Sequence, residues 1–143
     1  MTISFFVPGE PRPQPRPRTF ARKFGDKWMA RVYDAGTAEG WKSQIAAAAK
    51  QYLPQQPIDG AVSLTIYFTM PRPKNHHRAN GQLKDSTPVL HRSRPDLDNL
   101  EKAVMDALTQ LGFWDDDAQV AVKHTTKAYG PNIGATITIE PCL

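Results

Sequence analysis

The chain opens on alternation. In "TISFFV" (residues 2–7) Ile3, Phe5 and Val7 fall on one side of an extended backbone, and Pro8-Gly9 closes the run, which predicts a strand. The same period returns in "AVSLTIYFTM" (61–70), where Val62, Leu64, Ile66 and Phe68 point one way and Ser63, Thr65 and Tyr67 the other, a half-buried strand. Between them "DKWMARVYD" (26–34) reads as a short strand, and "TAEGWKSQIAAAAKQYL" (37–53) changes to helical period. Its stripe of Trp41, Ile45, Ala48 and Tyr52 is core, and Pro54 and Pro57 end it. A second helix carries Leu97, Leu100, Val104, Leu108 and Leu111 on one face and stops near Gly112, a good C′ residue. Two closing strands, "QVAVKHTT" (119–126) and "ATITIE" (135–140), flank Gly130-Pro131-Asn132 and predict a terminal hairpin.

Two stretches break the pattern. "PGEPRPQPRPR" has prolines at 8, 11, 13, 15 and 17, which fix φ and remove backbone donors, so it predicts a stiff, polyproline-like arm projecting Arg12, Arg16 and Arg18. This basic, proline-rich arm spans about residues 8–23 and takes in Arg22. Such arms commonly serve as linkers, but a stiff one carrying arginines loses less entropy on docking to phosphates. Residues 71–95, "PRPKNHHRANGQLKDSTPVLHRSRP", hold no sustained period, and their six Lys/Arg and three histidines predict a mobile DNA-facing loop. Lys74, Arg78, Arg92 and Arg94 are its candidate DNA contacts. Zinc is disfavoured, because His76 and His77 are adjacent and no spaced cysteines accompany them.

The order is strand, strand, helix, strand, loop, helix, strand, strand. This is an α+β fold, a small mixed β-sheet with two main helices packed against it, in a single domain over 1–143. The single Cys142 excludes an intramolecular disulfide and favours a reduced setting, and no apolar run is long enough to cross a bilayer. These features give the expectation of a cytoplasmic protein with no membrane association.

Charge changes the picture further. The net charge is only +4, but thirteen of eighteen Lys/Arg lie in residues 12–31 and 72–94, while half of the fourteen acids lie within 96–117. An acidic cluster inside a basic protein suits a polyanion that is gripped electrostatically while a metal ion is held at one spot; the plain alternative is a solvated surface.

The acidic cluster has two parts. In "RPDLDNLEKAVMDAL", Asp96 and Asp98 stand directly before the helix. Asp98 with Glu101 fits a helix cap, but a cap does not explain Asp96, which projects to the same side if the entry is extended. Two neighbouring carboxylates repel, and a divalent cation removes that cost. Lys102 lies one turn beyond Asp98. The second part is "GFWDDDAQV", with Asp115, Asp116 and Asp117 in the turn after the helix. A helix of ~14 residues spans ~20 Å, so the two parts need not meet unless the chain folds back.

"RPDLDNLEKAVMDAL" followed by "GFWDDDAQV" resembles the RusA family of Holliday junction resolvases, small endodeoxyribonucleases of phages and prophages. The likeness is close over 94–120, through D-L-D-N-L-x-K and F-W-x-D-D-A-Q-V, and looser over the proline-rich segment, the Trp41 helix and "HRSRPDLDN". The resemblance implies metal ligands at Asp96, Asp98 and Asp117, with Asp116 a possible fourth, and a catalytic lysine at Lys102. It departs at Asp115, where relatives can carry an apolar residue, so the acid of the run that faces the metal stays open. It also implies Mg²⁺, with Mn²⁺ as substitute and no other cofactor, and a homodimer that cuts four-way DNA junctions by paired symmetric nicks in recombination and repair, as a C2 pair of sites would. The alternatives are a non-catalytic junction- or DNA-binding protein, with the acids as caps and turn residues, and a D-x-D nucleotidyl- or glycosyltransferase, which lacks support without a Gly-rich phosphate loop.

Overall fold

Alternating apolar positions build the main sheet, and helical stripes cover one of its faces. The computed structural model describes residues 1–15, 18–24, 27–33 and 38–143, with side chains over 1–15 and 38–143. The described elements run β1 (Ile3–Pro8), β2 (Arg18–Phe24), β3 (Lys27–Tyr33), α1 (Glu39–Ala49), β4 (Val62–Met70), α2 (Leu97–Leu111), β5 (Val120–Tyr129) and β6 (Gly134–Pro141). Short 3₁₀ turns sit at Lys50–Tyr52, Lys74–His76 and Asp117–Gln119. None of the described helices is long and apolar enough to cross a membrane.

The four-stranded sheet has the order β1-β6-β4-β5. β6 lies antiparallel to both β1 and β4, whereas β5 lies parallel to β4. The α+β class and the mixed sheet are as the sequence implies, but the terminal hairpin is not formed. β4 separates the two last strands, and the chain after Tyr129 crosses to its other side. Burial explains the choice. β6 sends Ala135, Ile137 and Ile139 into the core and so belongs between two strands, while β5 is largely exposed and suits the edge. At the β1–β6 junction Gly134 takes φ 156°, and a Cβ there would lie 2.1 Å from the Val7 carbonyl oxygen.

Ile3, Phe5 and Val7 of β1 and Val62, Leu64, Ile66, Phe68 and Met70 of β4 face one core with the helices. α1 contributes Trp41, Ile45 and Ala49, with the predicted Ala48 partly buried against them, but not the predicted Tyr52. The helix tightens into 3₁₀ geometry at Lys50, so Tyr52 leaves the stripe and its ring stacks on Phe5 at the surface. α2 buries Leu100, Ala103, Val104, Ala107 and Leu108, with Leu97 and Leu111 partly covered at its ends. Gly112 closes it in the left-handed region, φ 97°, its N–H donating to the Leu108 and Thr109 carbonyls.

The apolar pattern does not announce β2. It pairs antiparallel with β3 in a separate two-stranded sheet, and its first residues fall inside the expected arm, which therefore ends as a strand from Arg18. The side chains of Arg16, Arg18 and Arg22 lie outside the described residues.

Candidate active site

α2 fixes the site's geometry. Its N-cap is Asp96, with extended φ/ψ of −69° and 142°, and the Asp96 carboxylate makes no capping hydrogen bond. Asp98 sits within the first turn, and its Oδ1 accepts the neighbouring Asn99 N–H at 3.0 Å. The cap reading for Asp98 and Glu101 therefore fails. Glu101 reaches the sheet instead, accepting from Lys123 Nζ at 3.0 Å and from the Thr125 hydroxyl of β5. Both aspartates are exposed at the start of the helix, where the dipole favours negative charge.

The approach to this end is built by three segments. The proline-rich arm does not project freely. Pro11 is buried, and the Gln14 N–H donates to the Asn99 carbonyl at 3.0 Å, which lays residues 11–15 along the helix start. From the sheet side, Lys127 Nζ donates to the Ser93 and Pro95 carbonyls at 2.6 and 2.7 Å, pinning the turn that leads into Asp96. Burial pulls the Lys127 ammonium below its usual pKa, and the Asp96 carboxylate opposes that shift.

The basic segment 71–95 is more organised than a structureless loop. Tyr129 is its post: the Arg72 guanidinium lies 5.0 Å over the ring, and His76 and His91 meet the ring edge-on, each at 5.0 Å between centroids. Backbone bonds continue the attachment, from Tyr129 N–H to the Val89 carbonyl at 2.8 Å and from His91 N–H to the Lys127 carbonyl at 3.0 Å. Burial first, then Lys127, lowers the His91 pKa, so its imidazole is neutral at pH 7. Lys74, Arg92 and Arg94 are exposed on this segment; Arg78 pairs with Asp85 at 3.2 Å and Arg12 of the arm with Glu10 at 3.2 Å.

The second acidic set lies at the opposite end of α2. Asp115, Asp116 and Asp117 line a shallow hollow of about 280 Å³ together with Asp106, Thr109 and Gln110. The turn folds back along α2 as far as Asp106, which is about 12 Å of helix beyond Asp98 at ~1.5 Å per residue. Among the described residues, those of the hollow included, no three His, Cys, Asp or Glu side chains converge so as to hold one metal ion. Lys102 also leans toward this far end, with Nζ 3.6 Å from Asp106, which is shared with Lys42 of α1 at 4.0 Å.

Within the acidic run the three residues divide their work. Asp116 caps the 3₁₀ turn: its Oδ1 accepts the Ala118 N–H at 2.8 Å, and Gln119 completes a capping box. Gln119, which the sequence motif contains without assigning it a task, holds the turn in place. Its Oε1 accepts the Asp115 and Asp116 N–H groups, while its Nε2 donates to the Ile58 and Gly60 carbonyls at 2.8 and 2.9 Å. One side chain thereby ties the turn to the lead into β4. Trp114, buried behind it, donates from Nε1 to the Thr109 hydroxyl at 2.7 Å. Asp115 and Asp117 keep their carboxylates out of this network.

Residues 8–140 match the family model described as Endodeoxyribonuclease RusA. The chain is 33% identical to the uncharacterized protein YqaN of Bacillus subtilis over 129 residues, 89% of this chain and 87% of that protein. It is also 52% identical over 50 residues to the crossover junction endodeoxyribonuclease RusA of Escherichia coli K12, and equally to that of Enterobacteria phage 82. Those matches cover 33% of this chain and 42% of each relative, well under half of their length.

Proposed function

Because the chain belongs to the RusA endodeoxyribonuclease family, we propose that it is a structure-selective endodeoxyribonuclease that cuts four-way DNA junctions by paired, divalent-metal-dependent nicks in recombination and repair. One observation carries this reading. Asp96 and Asp98 stand exposed at a helix start, held between a basic arm docked through Gln14 and a basic segment pinned through Lys127. A phosphodiester gripped by the cations is delivered to carboxylates whose oxygens suit a hard divalent ion.

The fit to a metal is complete in donor type but not in number within one chain. Asp96 and Asp98 would hold Mg²⁺ or Mn²⁺, and the third carboxylate expected from the family, Asp117, lies apart from them in the hollow beside Asp106. A second copy supplies it. A C2 homodimer that brought Asp96 and Asp98 of one protomer to Asp117 of its partner would form two such sites per pair of chains. The chemistry a bound divalent cation supplies is activation of water and neutralisation of charge on the phosphate. The chain's own cations do the rest: the arm and segment 71–95 grip and orient the strands. Lys102, whose exposed ammonium rests near the shared Asp106, would neutralise charge developing on the phosphate.

Two experiments test this. Purified protein with a labelled synthetic junction and Mg²⁺ or Mn²⁺ should give paired nicks; binding without cutting at every divalent-ion concentration would leave the non-catalytic junction-binding alternative. Co-expression of Asp96→Asn with Asp117→Asn chains, each inactive alone, should restore one working site per mixed dimer and yield single nicks. A site made within one chain stays dead in that mixture.

A further inference from the structure

Segment 71–95 inverts the usual arrangement of a surface loop. His91, a polar side chain, is buried against Tyr129, whereas the adjacent Val89 and Leu90 are 65% and 62% exposed. Single exposed apolar residues are ordinary, but these two are consecutive and cannot turn inward. Their backbone is bonded on both sides to β5, through Tyr129 N–H to Val89, His91 N–H to Lys127 and a Leu90–Ala128 bridge. Arg72 closes the attachment, donating to the Pro88 carbonyl at 2.9 Å from its place over the Tyr129 ring. The result is a fixed apolar ridge along the outer margin of the sheet.

Its surroundings name the ligand. Segment 71–95 carries six Lys/Arg and only one acid, Asp85, so the surface fits a polyanion. A phosphate backbone makes no use of valine and leucine. An unstacked nucleobase does, and apolar side chains wedged against opened base steps are an established way for proteins to hold distorted DNA. The ridge also has a set position relative to the acids, because Lys127 fastens the Ser93–Pro95 turn to the same stretch of β5 that holds Val89–His91.

We propose that the Val89–Leu90 ridge is a base-contacting edge that packs against an unstacked base pair at the branch point of DNA, with Arg92 and Arg94 on the flanking phosphates. This rests on the nuclease reading and adds to it the element that distinguishes a branched substrate from a linear one. Tyr129 is the positioning residue of the ridge.

The test uses the full chain without divalent ions, so that nothing is cut, and a four-way junction carrying 2-aminopurine at the branch point. Binding of the unaltered protein should raise the fluorescence as the base unstacks. Val89→Ser with Leu90→Ser should lose most of that rise and weaken junction binding by about tenfold, the order expected when a buried aliphatic contact is lost, while linear-duplex binding stays unchanged. Leu90→Phe should keep the signal. Tyr129→Leu should lose it and Tyr129→Phe, which retains the ring, should restore it. An undiminished rise in the double serine variant overturns the ridge. So does conversion of that variant to a monomer in light scattering, which would make the ridge an interface between copies of the chain. If the unaltered protein binds no junction at all, the nuclease reading itself falls, and that result is distinct from both.

Discussion

Replacing Gln119 by Met removes one side chain's worth of hydrogen bonds at nearly constant volume. The bonds removed are two accepted from Asp115 and Asp116 and two donated to Ile58 and Gly60. Each intramolecular hydrogen bond contributes about 1 kcal/mol net. Three of the four are at exposed positions, where water takes over much of the loss, and the Ile58 bond is partly buried. The expected destabilisation is therefore ~2–3 kcal/mol rather than the full sum. For a domain near this length, each kcal/mol lowers the melting temperature by roughly 2–4 °C, giving a drop of about 5–10 °C in a thermal unfolding scan followed by circular dichroism. Junction cutting should fall more than junction binding, since the acidic turn is released from β4 while the cations are untouched. A shift below about 2 °C would refute the reasoning and place the anchor of the turn in Trp114 and Asp116 alone.

Asp96→Asn or Asp98→Asn should abolish cutting while junction binding holds or tightens, because less negative charge faces the phosphates; gel assays in parallel read both. Asp117→Asn should behave the same way, whereas Asp116→Asn should chiefly lower the melting temperature, and the reverse result would exchange their roles. Combined Arg12→Ala, Arg16→Ala and Arg18→Ala should flatten the logarithmic salt dependence of junction binding by ~0.9 for each phosphate no longer neutralised, and an unchanged slope would return the arm to a linker. His91, whose folded pKa lies below its ordinary 6.5, stabilises the protein above that value. Stability should decline as pH falls below 6.5, where the unfolded chain takes up protons more readily, and His91→Gln should lessen that decline, the remainder including His76, whose pKa is lowered as well.

What the sequence made legible was whatever depends on near neighbours. Alternation in β1 and β4 and the apolar face of α2 gave those elements almost to the residue, since the core lies on one side of each. β2 was hidden because prolines dominate the residues before it, and its stability comes from pairing with β3. The separation of β5 from β6 was hidden because a short turn-rich link is compatible with a hairpin and with a step across β4. At the site, the motif located the acids, but its D-D-A-Q portion did not disclose that Gln119 binds carbonyls about sixty positions earlier. The neutral packing of His91 and the seat of Arg72 on Tyr129 likewise need a partner that no local pattern announces.

The pairing of β1 with β6 sets a constraint on the order in which the protein assembles. β1 comes first among the described strands, and its sheet neighbour β6 is the last of them to leave the ribosome. Until then Ile3, Phe5 and Val7 have no strand to lie against, and β4 has one side open. Helices and the β4–α2–β5 unit can form on the emerging chain, but closure of the sheet is a late step joining residues more than a hundred positions apart. A nascent chain of this kind carries an adhesive early segment until β6 emerges, so its exposure to aggregation ends only with the last strand.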